Sequence, residues 1–413
     1  MISFHTTHEI FLGQQPALEK KKSDFLYLPG LNGIRAIAAL AVVILHTGFS
    51  LKNIGLHAAI FGRDANGNPL DYFFGQFAVS IFFALSGFLI TYLLLLEKDK
   101  REISIRKFYL RRIYRIWPLY YGFMFAMVTL ILLFKVPFEQ QSLIYYILLA
   151  PNLIAPGVTP ISFINHFWSI GVEEQFYLFW PWVIKQNLVK VLMPVLIIIA
   201  LMFATRLYLF SSAPSSVLSQ FFMANRFDCM LIGAVGGIIY QKDIRWIIKL
   251  IDNKTTQFIL LLAGVLYAVN VIHINPVVSH LVISIVTLGI IIGQINVDNR
   301  IINLDISIFR YLGKISFGIY VYHQFFIFLF TKLYKDILYD GFPKYFLMFF
   351  SVLTSTILVS HLSYKYFESW FIKRKNRYSV IHSSNAPADT VPMKTYEEIS
   401  ETKVYRETAY PSS

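Results

Sequence analysis

The sequence predicts an all-α, polytopic membrane protein, a bundle of about ten transmembrane helices with both termini in the cytoplasm. Its 413 residues are 56% hydrophobic and only 15% charged, whereas soluble domains carry about 25% charged residues. Apolar segments close to the length that crosses a bilayer recur along the chain. Lysines and arginines cluster in alternate connecting segments, which is the pattern that multi-pass proteins show on their cytoplasmic side.

These apolar segments lie between a cytoplasmic leader, residues 1–27, and a polar tail, residues 378–413. The tail is expected to be disordered because it is rich in Ser, Thr and Glu and has no hydrophobic periodicity. A shorter apolar stretch, residues 141–153, is interpreted as an interfacial or re-entrant helix. The transmembrane domain, residues 28–377, is predicted to cross the membrane at residues 33–50, 72–96, 116–134, 166–184, 191–210, 227–240, 258–272, 277–295, 315–330 and 345–366.

The distribution of charge predicts the orientation of this bundle. With the N-terminus in the cytoplasm, 24 lysines and arginines fall in the inner segments and 7 in the outer ones. The net charge of +13 therefore follows the membrane topology, and no nucleic-acid partner is predicted. The N-terminal sequence shows no removable signal peptide, and the single cysteine, Cys229, excludes an internal disulfide.

Two ionisable residues lie within the first predicted span. Arg35 and His46 are eleven positions apart, which places them on one helix face about 16 Å apart along the axis. Ionisable side chains in a membrane helix usually face a protein interior or a water-filled path. A neutral histidine suits a general base, and an arginine can hold an anion or a developing oxyanion. Alternatively, Arg35 reaches to lipid headgroups and His46 caps the helix end.

The densest basic segment, which includes Arg111, Arg112 and Arg115, precedes the third predicted span. Its charge fits a positive-inside anchor. It also fits a binding site for a phosphorylated cytoplasmic ligand, because guanidinium groups match phosphate oxygens. These two interpretations are compatible.

The fourth predicted span opens with Trp168 and Ser169, followed by Glu173 and Glu174. At least one of the two acids is predicted to face the bundle interior, where a carboxylate can orient a histidine or pair with an arginine. An outward-facing helix N-terminus that favours acids is the alternative, and it suits Glu174 better than Glu173.

Further polar residues interrupt the apolar spans, and we assign them supporting roles. Arg226 and Asp228 are expected to form a structural ion pair at the membrane border. Ser316 and His323 share a helix face with Tyr320, and His323 is either a bundle histidine with its hydrogen bonds satisfied or a catalyst. Ser86 and Gly87 permit close helix packing or passage of a thin ligand, and Glu368 is expected to partner the basic inner surface. The remaining histidines lack metal-ligand spacing, so no metal is predicted.

Taken together, these segments resemble the acyltransferase 3 family of bacterial integral-membrane O-acyltransferases. The resemblance covers residues 28–371, and its seven elements follow in family order. They are Arg35-x10-His46, FFALSGFLIT (82–91), FYLRRIYRIWPLY (108–120), HFWSIGVEEQFY (166–177), NRFDCMLIG (225–233), GKISFGIYVYH (313–323) and YFESWF (366–371).

This resemblance implies a multi-pass protein of the bacterial inner membrane that uses acetyl-CoA, or another acyl-CoA, as donor and no bound cofactor. The acceptor it implies is a hydroxyl of a cell-surface or lipid-linked glycan. It further implies that Arg35 and His46 are essential, with Arg111, Arg112 and Arg115 near the donor and Glu173 orienting a partner. Two departures are notable: YVYHQF lacks the tryptophan and proline common around the family histidine, and no SGNH-hydrolase-type domain follows the last span.

Two other functions are compatible with the same residues. In a multi-pass transporter, Arg35, His46, Glu173 and Asp228 would bind an anionic solute or relay protons. However, the sequence shows no paired halves of the kind that inverted repeats produce. A catalytically silent scaffold is the third possibility, and the intact Arg35 and His46 argue against it. Oligomeric state is left open by the sequence.

Overall fold

The structure, a computed structural model, describes residues 25–56, 77–155, 157–268, 271–272, 274–336 and 341–383. Within these residues the chain is almost entirely helical, and its only strands are β1, Phe25–Leu26, and β2, His382–Ser383. The helices are α1 Leu31–Ser50, α2 Ala78–Lys100, α3 Ile105–Leu133, α4 Gln140–Ile147, α5 Trp168–Lys185, α6 Leu188–Ser212, α7 Val217–Ala224, α8 Phe227–Gln241, α9 Arg245–Ile251, α10 Lys254–Ala268, α11 Pro276–Ile295, α12 Ser307–Lys314, α13 Ser316–Tyr334, α14 Phe342–Ser363 and α15 Ser369–Asn376.

The described residues contain seven helical segments long and apolar enough to cross a membrane, or eight if the bent pair α12–α13 is one span. The protein is therefore a multi-pass membrane protein, but the predicted count of ten is not confirmed. Each of the ten predicted spans overlaps a helix of the described residues, and the difference in count comes from three of these helices. Helix α5 contains three charged residues in only 18 positions, α10 has 15 residues, and α13 qualifies only together with α12, from which it is bent by 68°.

The predicted interfacial stretch 141–153 forms the short helix α4 and a turn of 3₁₀ helix, so it does not cross the bundle. Helix α3 begins at Ile105, well before the predicted start of the third span near residue 116. The basic segment that contains Arg111, Arg112 and Arg115 is therefore the first part of a transmembrane helix. As a result, these three side chains are held on a rigid element.

Helix α2 lies at the centre of the bundle and packs most extensively against α8. The two backbones approach so closely that a Cβ added to Gly87 would lie 1.9 Å from the Met230 carbonyl oxygen. A Cβ on Gly233 would meet the Ala84 carbonyl oxygen at the same distance. The close-packing interpretation of Gly87 is confirmed, because small residues are what permit such helix contacts in membranes.

The ion pair predicted between Arg226 and Asp228 does not form. Asp228 is completely buried and pairs with Arg206 of α6, which is also buried. Arg226 instead lies over the Trp168 ring, 5.8 Å from its centroid, and donates a hydrogen bond from Nε to the Met223 carbonyl. Within the bundle, burying two charges is tolerable only when they compensate each other, and Arg206 is the cation that reaches Asp228.

Both ends of the described chain meet at one end of the bundle. Strand β1 precedes α1, and it pairs in parallel with β2, so that Phe25 lies opposite His382. Strand β2 lies in the predicted polar tail, which begins at residue 378, and β1 lies in the predicted leader, so the two segments pair with each other. Residues 384–413 of the tail lie outside the described residues. Nearby, the hydroxyl of Tyr27 donates to Asp305. Burial, together with this carboxylate, raises the pKa of Tyr27 to about 12 and keeps the phenol protonated as a donor.

Candidate functional site

Helix α1 connects two cavities at opposite ends of the bundle. The first, which we call the cationic cavity, has a volume of about 140 Å³ and contains the Arg35 end of α1. Seven of the predicted site residues line it: Arg35, Ser86, Arg112, Arg115, Ser169, Glu173 and Ser316. The second, the histidine cavity, has a volume of about 310 Å³ and contains His46. Arg35 and His46 therefore face the interior, as predicted, but they open into different spaces.

The cationic cavity holds three guanidinium groups, and among the described residues none of them is in a salt bridge. Arg112 is positioned between the rings of Phe108 and Tyr177, 5.7 and 5.6 Å from their centroids. Its Nε is buried and has no hydrogen-bond partner among the described residues. Arg115 and Arg35 are close enough to Arg112 for the three charges to repel one another. A cluster of mutually repelling cations that faces a cavity is a suitable site for an anionic group.

Glu173 supplies negative charge in the same cavity. Its Oε2 accepts a hydrogen bond of 2.6 Å from the hydroxyl of Tyr177, one turn further along α5. Because that hydroxyl donates to Glu173, Ser86 must donate its own proton to the Tyr177 oxygen. The hydrogen-bond partner of Glu173 is thus a tyrosine, and Glu173 attracts Arg35 and Arg112 through its charge.

Glu174 also faces the bundle interior, so the outward-facing interpretation of this residue is wrong. Its Oε2 accepts a hydrogen bond of 3.0 Å from the indole nitrogen of Trp117 on α3. Both acids can point inward because α3 packs across the start of α5. Trp168, the first residue of α5, packs edge-on against Phe83, with 6.4 Å between ring centroids, and does not line either cavity.

Arg111 differs from its two neighbours on α3, because it lies outside the lining of the cationic cavity. Its Nη2 is 2.7 Å from Glu97 Oε2, and these two side chains are only 11% and 3% exposed. Its Nη1 donates to the backbone carbonyl of Tyr378, at 3.0 Å. Arg111 is therefore engaged in holding the C-terminal segment against α2 and α3.

The C-terminal helix α15 brings an additional cation to this end of the bundle. Lys375 is half-buried, and its ammonium group is close enough to be repelled by Arg115, Arg112 and Arg35. Glu368, which begins this segment, is buried, accepts a hydrogen bond of 3.3 Å from Ser363 and is attracted by Arg115. The expected partnership of Glu368 with the basic inner surface stays a prediction, because its hydrogen bond goes to Ser363.

At the other end of α1, two histidines form a directional hydrogen-bonded pair. His323 Nδ1 lies 2.6 Å from the Tyr320 carbonyl oxygen, which can only accept, so His323 carries its proton on Nδ1. In neutral His323, Nε2 then accepts from His46 Nδ1, at 2.8 Å. This network assigns the protons and leaves His46 Nε2 unprotonated. His323 therefore has its hydrogen bonds satisfied, and it also orients His46.

A third histidine, His166, joins this pair from the turn before α5. Its ring centroid lies 4.7 Å from that of His323 in an edge-to-face arrangement. His166 is buried, and neither ring nitrogen has a hydrogen-bond partner among the described residues. We did not predict this residue, although it opens the segment HFWSIGVEEQFY.

Tyr320 links the lining of the cationic cavity to the histidine pair. Its ring lines the cationic cavity, and its backbone carbonyl holds His323. Its hydroxyl donates to the His166 carbonyl at 2.5 Å, so Ser169 donates to the Tyr320 oxygen at 2.6 Å. Ser316, one turn earlier, lines the cationic cavity and donates to the Gly313 carbonyl. Gln324, one turn after Tyr320, lines the histidine cavity, so one turn of α13 contacts both cavities.

Sequence reasoning also missed Tyr177 and Lys375 at the cationic cavity, and Arg206 in the buried ion pair with Asp228. Tyr177 and Lys375 had no distinguishing signal, because tyrosines and basic residues are abundant near membrane surfaces. Arg206 did have a signal, since an arginine inside an apolar span marks a buried partner. Among the described residues no group of three His, Cys, Asp or Glu side chains is placed to hold a metal ion.

The fold and the site define a multi-pass membrane protein in which one helix lines a cationic cavity and a histidine cavity. The chain belongs to the acyltransferase 3 family, because the family model, described as an acyltransferase domain, matches residues 28–364. It is similar to a protein of Staphylococcus aureus (strain COL) that is provisionally named an O-acetyltransferase. The two are 28% identical over 383 residues, which cover 86% of this chain and 58% of the relative.

A second relative is the peptidoglycan O-acetyltransferase OatA of Listeria monocytogenes (serovar 1/2a, strain ATCC BAA-679 / EGD-e). It is 27% identical over 222 residues, which cover 46% of this chain and 31% of the relative. A Bacillus subtilis (strain 168) protein, provisionally named a peptidoglycan O-acetyltransferase, is 31% identical over 39% of this chain and 24% of its own length. The chain thus spans about three fifths of the first relative and less of the others. No solved structure matches it.

Proposed function

We propose that this protein is an O-acetyltransferase that moves an acetyl group from acetyl-CoA to a hydroxyl of a cell-surface or lipid-linked glycan. Membership of the acyltransferase 3 family supports acyl transfer, and the names of the relatives support acetyl as the group and a cell-wall glycan as the acceptor class. The observation that carries the proposal is the unprotonated Nε2 of His46, an imidazole that His323 holds in the wall of the histidine cavity.

The donor is expected at the cationic cavity. Arg35, Arg112, Arg115 and Lys375 concentrate positive charge there, which suits the phosphate groups of coenzyme A. Arg35 lies eleven residues from His46, about 16 Å along the helix, so its place favours binding of the donor over stabilisation of an oxyanion at the base. Arg111 would contribute by holding α15 in position.

In the reaction, His46 Nε2 removes the proton of the acceptor hydroxyl as its oxygen attacks the thioester carbonyl carbon. The resulting tetrahedral adduct collapses with cleavage of the carbon–sulfur bond. The leaving thiolate takes the proton back from His46, so the products are an O-acetyl ester and free coenzyme A. His323 positions His46 and shares the charge that develops on it, since its Nε2 accepts from His46 Nδ1.

The cationic cavity is proposed to face the cytoplasm of a bacterial inner membrane. Both termini of the described chain lie at that end, and so do the basic residues that the positive-inside rule assigns to the cytoplasm. Acetyl-CoA is made in the cytoplasm and is too polar to cross the bilayer. A transporter of an anionic solute would also use such a cavity, but family membership favours acyl transfer.

The test is transfer of label from radioactive acetyl-CoA in membrane vesicles that carry the wild type or His46→Ala. Inside-out vesicles with the wild type should label glycan or lipid-linked material, whereas His46→Ala vesicles should not. Sealed right-side-out vesicles should give no label until they are permeabilised. Equal labelling by the wild type and His46→Ala would contradict the proposed reaction, and labelling of intact right-side-out vesicles would contradict the orientation.

A further inference from the structure

Residues 377–383, which follow α15, connect α3 to the start of α1 at the end of the bundle that contains the cationic cavity. We propose that this segment, which we call the strap, is a gate that closes the entrance of the cavity and opens to let an acyl donor enter or leave. The inference rests on the donor site proposed above and adds control of access to it. The strap lies beyond the residues, 28–364, that match the family model.

The first part of the strap is attached to α3. Arg111 Nη1 donates a hydrogen bond of 3.0 Å to the Tyr378 carbonyl. The Tyr378 ring stacks on that of Tyr114, with 5.8 Å between centroids and 9° between planes. Arg111 and Tyr114 are three residues apart and share one face of the helix. Arg112 and Arg115, each one position further along, line the cavity, so α3 carries the strap and the cavity wall on neighbouring faces.

The last part of the strap is attached to the segment that leads into α1. His382 and Ser383 form β2 and pair in parallel with Phe25 and Leu26 of β1. Strand β1 precedes α1, which contributes Arg35 to the cavity wall. The strap therefore runs from the helix that forms one wall of the cavity to the helix that forms another.

The size of the cavity requires the strap to move. The cavity has a volume of about 140 Å³, whereas sites for drug-sized ligands have about 300–1,000 Å³. An acyl-CoA is larger than most such ligands, so it fills the cavity and extends into the entrance between α1 and α3. Because the strap joins these two helices, it has to open to admit a donor of this size.

The two attachments of the strap differ in strength. At β1 only two residue pairs form, and isolated short pairings of strands are marginal in stability. At α3 the strap is held by a hydrogen bond from a charged guanidinium group and by the stacked rings, and charge-assisted hydrogen bonds are stronger than neutral ones. The strap is therefore expected to open by release of β2 from β1 while Tyr378 stays on α3.

A gate of this kind changes rates and leaves affinity unchanged. A strap that closes equally well over the empty and the occupied cavity slows entry and release of the donor by the same factor. While it is closed, it keeps the donor in place and keeps water away from the thioester, which is the usual role of a lid. The Kd of the donor is then independent of how firmly the strap is attached.

The first experiment locks the strap with a disulfide in the purified full chain in lipid nanodiscs. Leu26→Cys/Ser383→Cys places the two thiols on strand partners, and neighbouring strands lie about 4.8 Å apart, within the range of about 4.4–6.8 Å for a disulfide. The probe is a radiolabelled acetyl-CoA analogue with a thioether in place of the thioester, which neither transfers its acyl group nor releases a thiol.

Oxidation before the probe is added should slow its association at least about 30-fold, because a disulfide typically stabilises the structure that it cross-links by at least this factor. Oxidation after the probe has bound should slow its release to a similar extent. Reduction should restore both rates. The two single-cysteine variants, oxidised in the same way, are the controls and should keep the rates of the wild type, since the native Cys229 is buried.

A second experiment loosens the strap at its other attachment. Tyr378→Ala removes the ring that stacks on Tyr114, and it should speed association and release of the probe about 2- to 10-fold, the usual contribution of an aromatic pair. The Kd should stay unchanged, whereas loss of a side chain that binds the donor would raise it. Tyr366→Ala is the matched control, because this tyrosine is 71% exposed and lies outside the strap.

The outcomes separate the gate from the donor site. If the oxidised double variant binds and releases the probe as fast as the reduced one, or if Tyr378→Ala and Tyr366→Ala behave alike, the strap is not a gate. Failure of the two cysteines to cross-link would show that the strap does not close on α1, and a raised Kd in Tyr378→Ala would make this residue part of the donor site. If the reduced protein does not bind the probe at all, the proposed donor site itself has failed.

Discussion

The two ends of helix α1 face cavities whose linings differ in charge. At the Arg35 end, three arginines line the wall and Lys375 adds a further positive charge nearby. At the His46 end, the lining is neutral except for an imidazole whose proton positions are set by His323. One membrane helix can thus present a strongly cationic lining at one end and an almost uncharged lining at the other, and only the cationic one can compensate the charge of an anionic ligand.

The strongest test of this comparison is removal of the base. His46→Ala should lower kcat by about 10²–10⁴-fold, the usual contribution of a general base. The KM for acetyl-CoA should change little, because His46 does not line the cationic cavity, where we propose that the donor binds. Steady-state kinetics at saturating acceptor will measure both. The control is His361→Ala, because His361 lines neither cavity. If His46→Ala instead raises the KM for acetyl-CoA and leaves kcat unchanged, His46 binds the donor and is not the base.

Loss of the Arg111 ion pair should affect folding and not donor affinity. Arg111→Met leaves Glu97 buried without its closest cation, which should destabilise the protein by about 3 kcal/mol. Breaking a buried ion pair usually costs about 3–5 kcal/mol. We expect the low end of this range because Arg101 lies 4.0 Å from the other carboxylate oxygen of Glu97. The midpoint of unfolding in detergent measures this, and Arg111→Met/Glu97→Leu should recover much of the loss. If Arg111→Met raises the KM for acetyl-CoA and leaves the stability unchanged, Arg111 belongs to the donor site.

Arg112 should show the reverse behaviour. Arg112→Gln removes a cation from the cavity wall and should raise the KM for acetyl-CoA about 10- to 100-fold, because hydrogen bonds to charged groups contribute about 1.5–3 kcal/mol. S-acetylpantetheine, which lacks the nucleotide phosphates, is the matched donor, and its KM should be unaffected. If both donors are weakened equally, Arg112 contacts the pantetheine arm or holds the cavity open.

His323 is expected to act through His46 as a positioning residue. His323→Phe should lower kcat about tenfold, because His46 Nδ1–H then lacks its acceptor. His323→Gln, whose amide can both accept and donate, should restore part of the rate. Steady-state kinetics of both variants distinguish positioning from a packing defect. Positioning should change kcat and leave KM unchanged, whereas a packing defect should change both. Equal losses for Phe and Gln would show that only the shape of the imidazole matters.

Lys375 should give the smallest effect, because it lies near the cavity wall and is partly exposed. Lys375→Gln should raise the KM for acetyl-CoA about three- to tenfold, and more at low ionic strength, since salt screens exposed charges. Lys373→Gln, on the exposed surface of the same helix, is the control. A donor KM that does not respond to Lys375→Gln would restrict the donor site to the arginines of α1 and α3.

Helix periodicity explains why sequence reasoning succeeded at Arg35 and His46. The eleven-residue spacing places both on one face, and both do face the interior. Periodicity does not determine what each side chain meets at its own depth, and the two residues open into different cavities. The same limit applies to Arg111, Arg112 and Arg115, because only the packing of α2, α5 and α15 around α3 separates the structural arginine from the two that line the cavity.

The transmembrane character, the basic end of the bundle and the motif residues were determined by the sequence itself, because hydropathy and charge are properties of short segments. Tertiary structure decided the partners: Asp228 with Arg206 instead of Arg226, Glu174 with Trp117, and His46 with His323. These pairs join helices that are distant along the chain. Their formation depends on how whole helices pack, and no local pattern of residues specifies that packing.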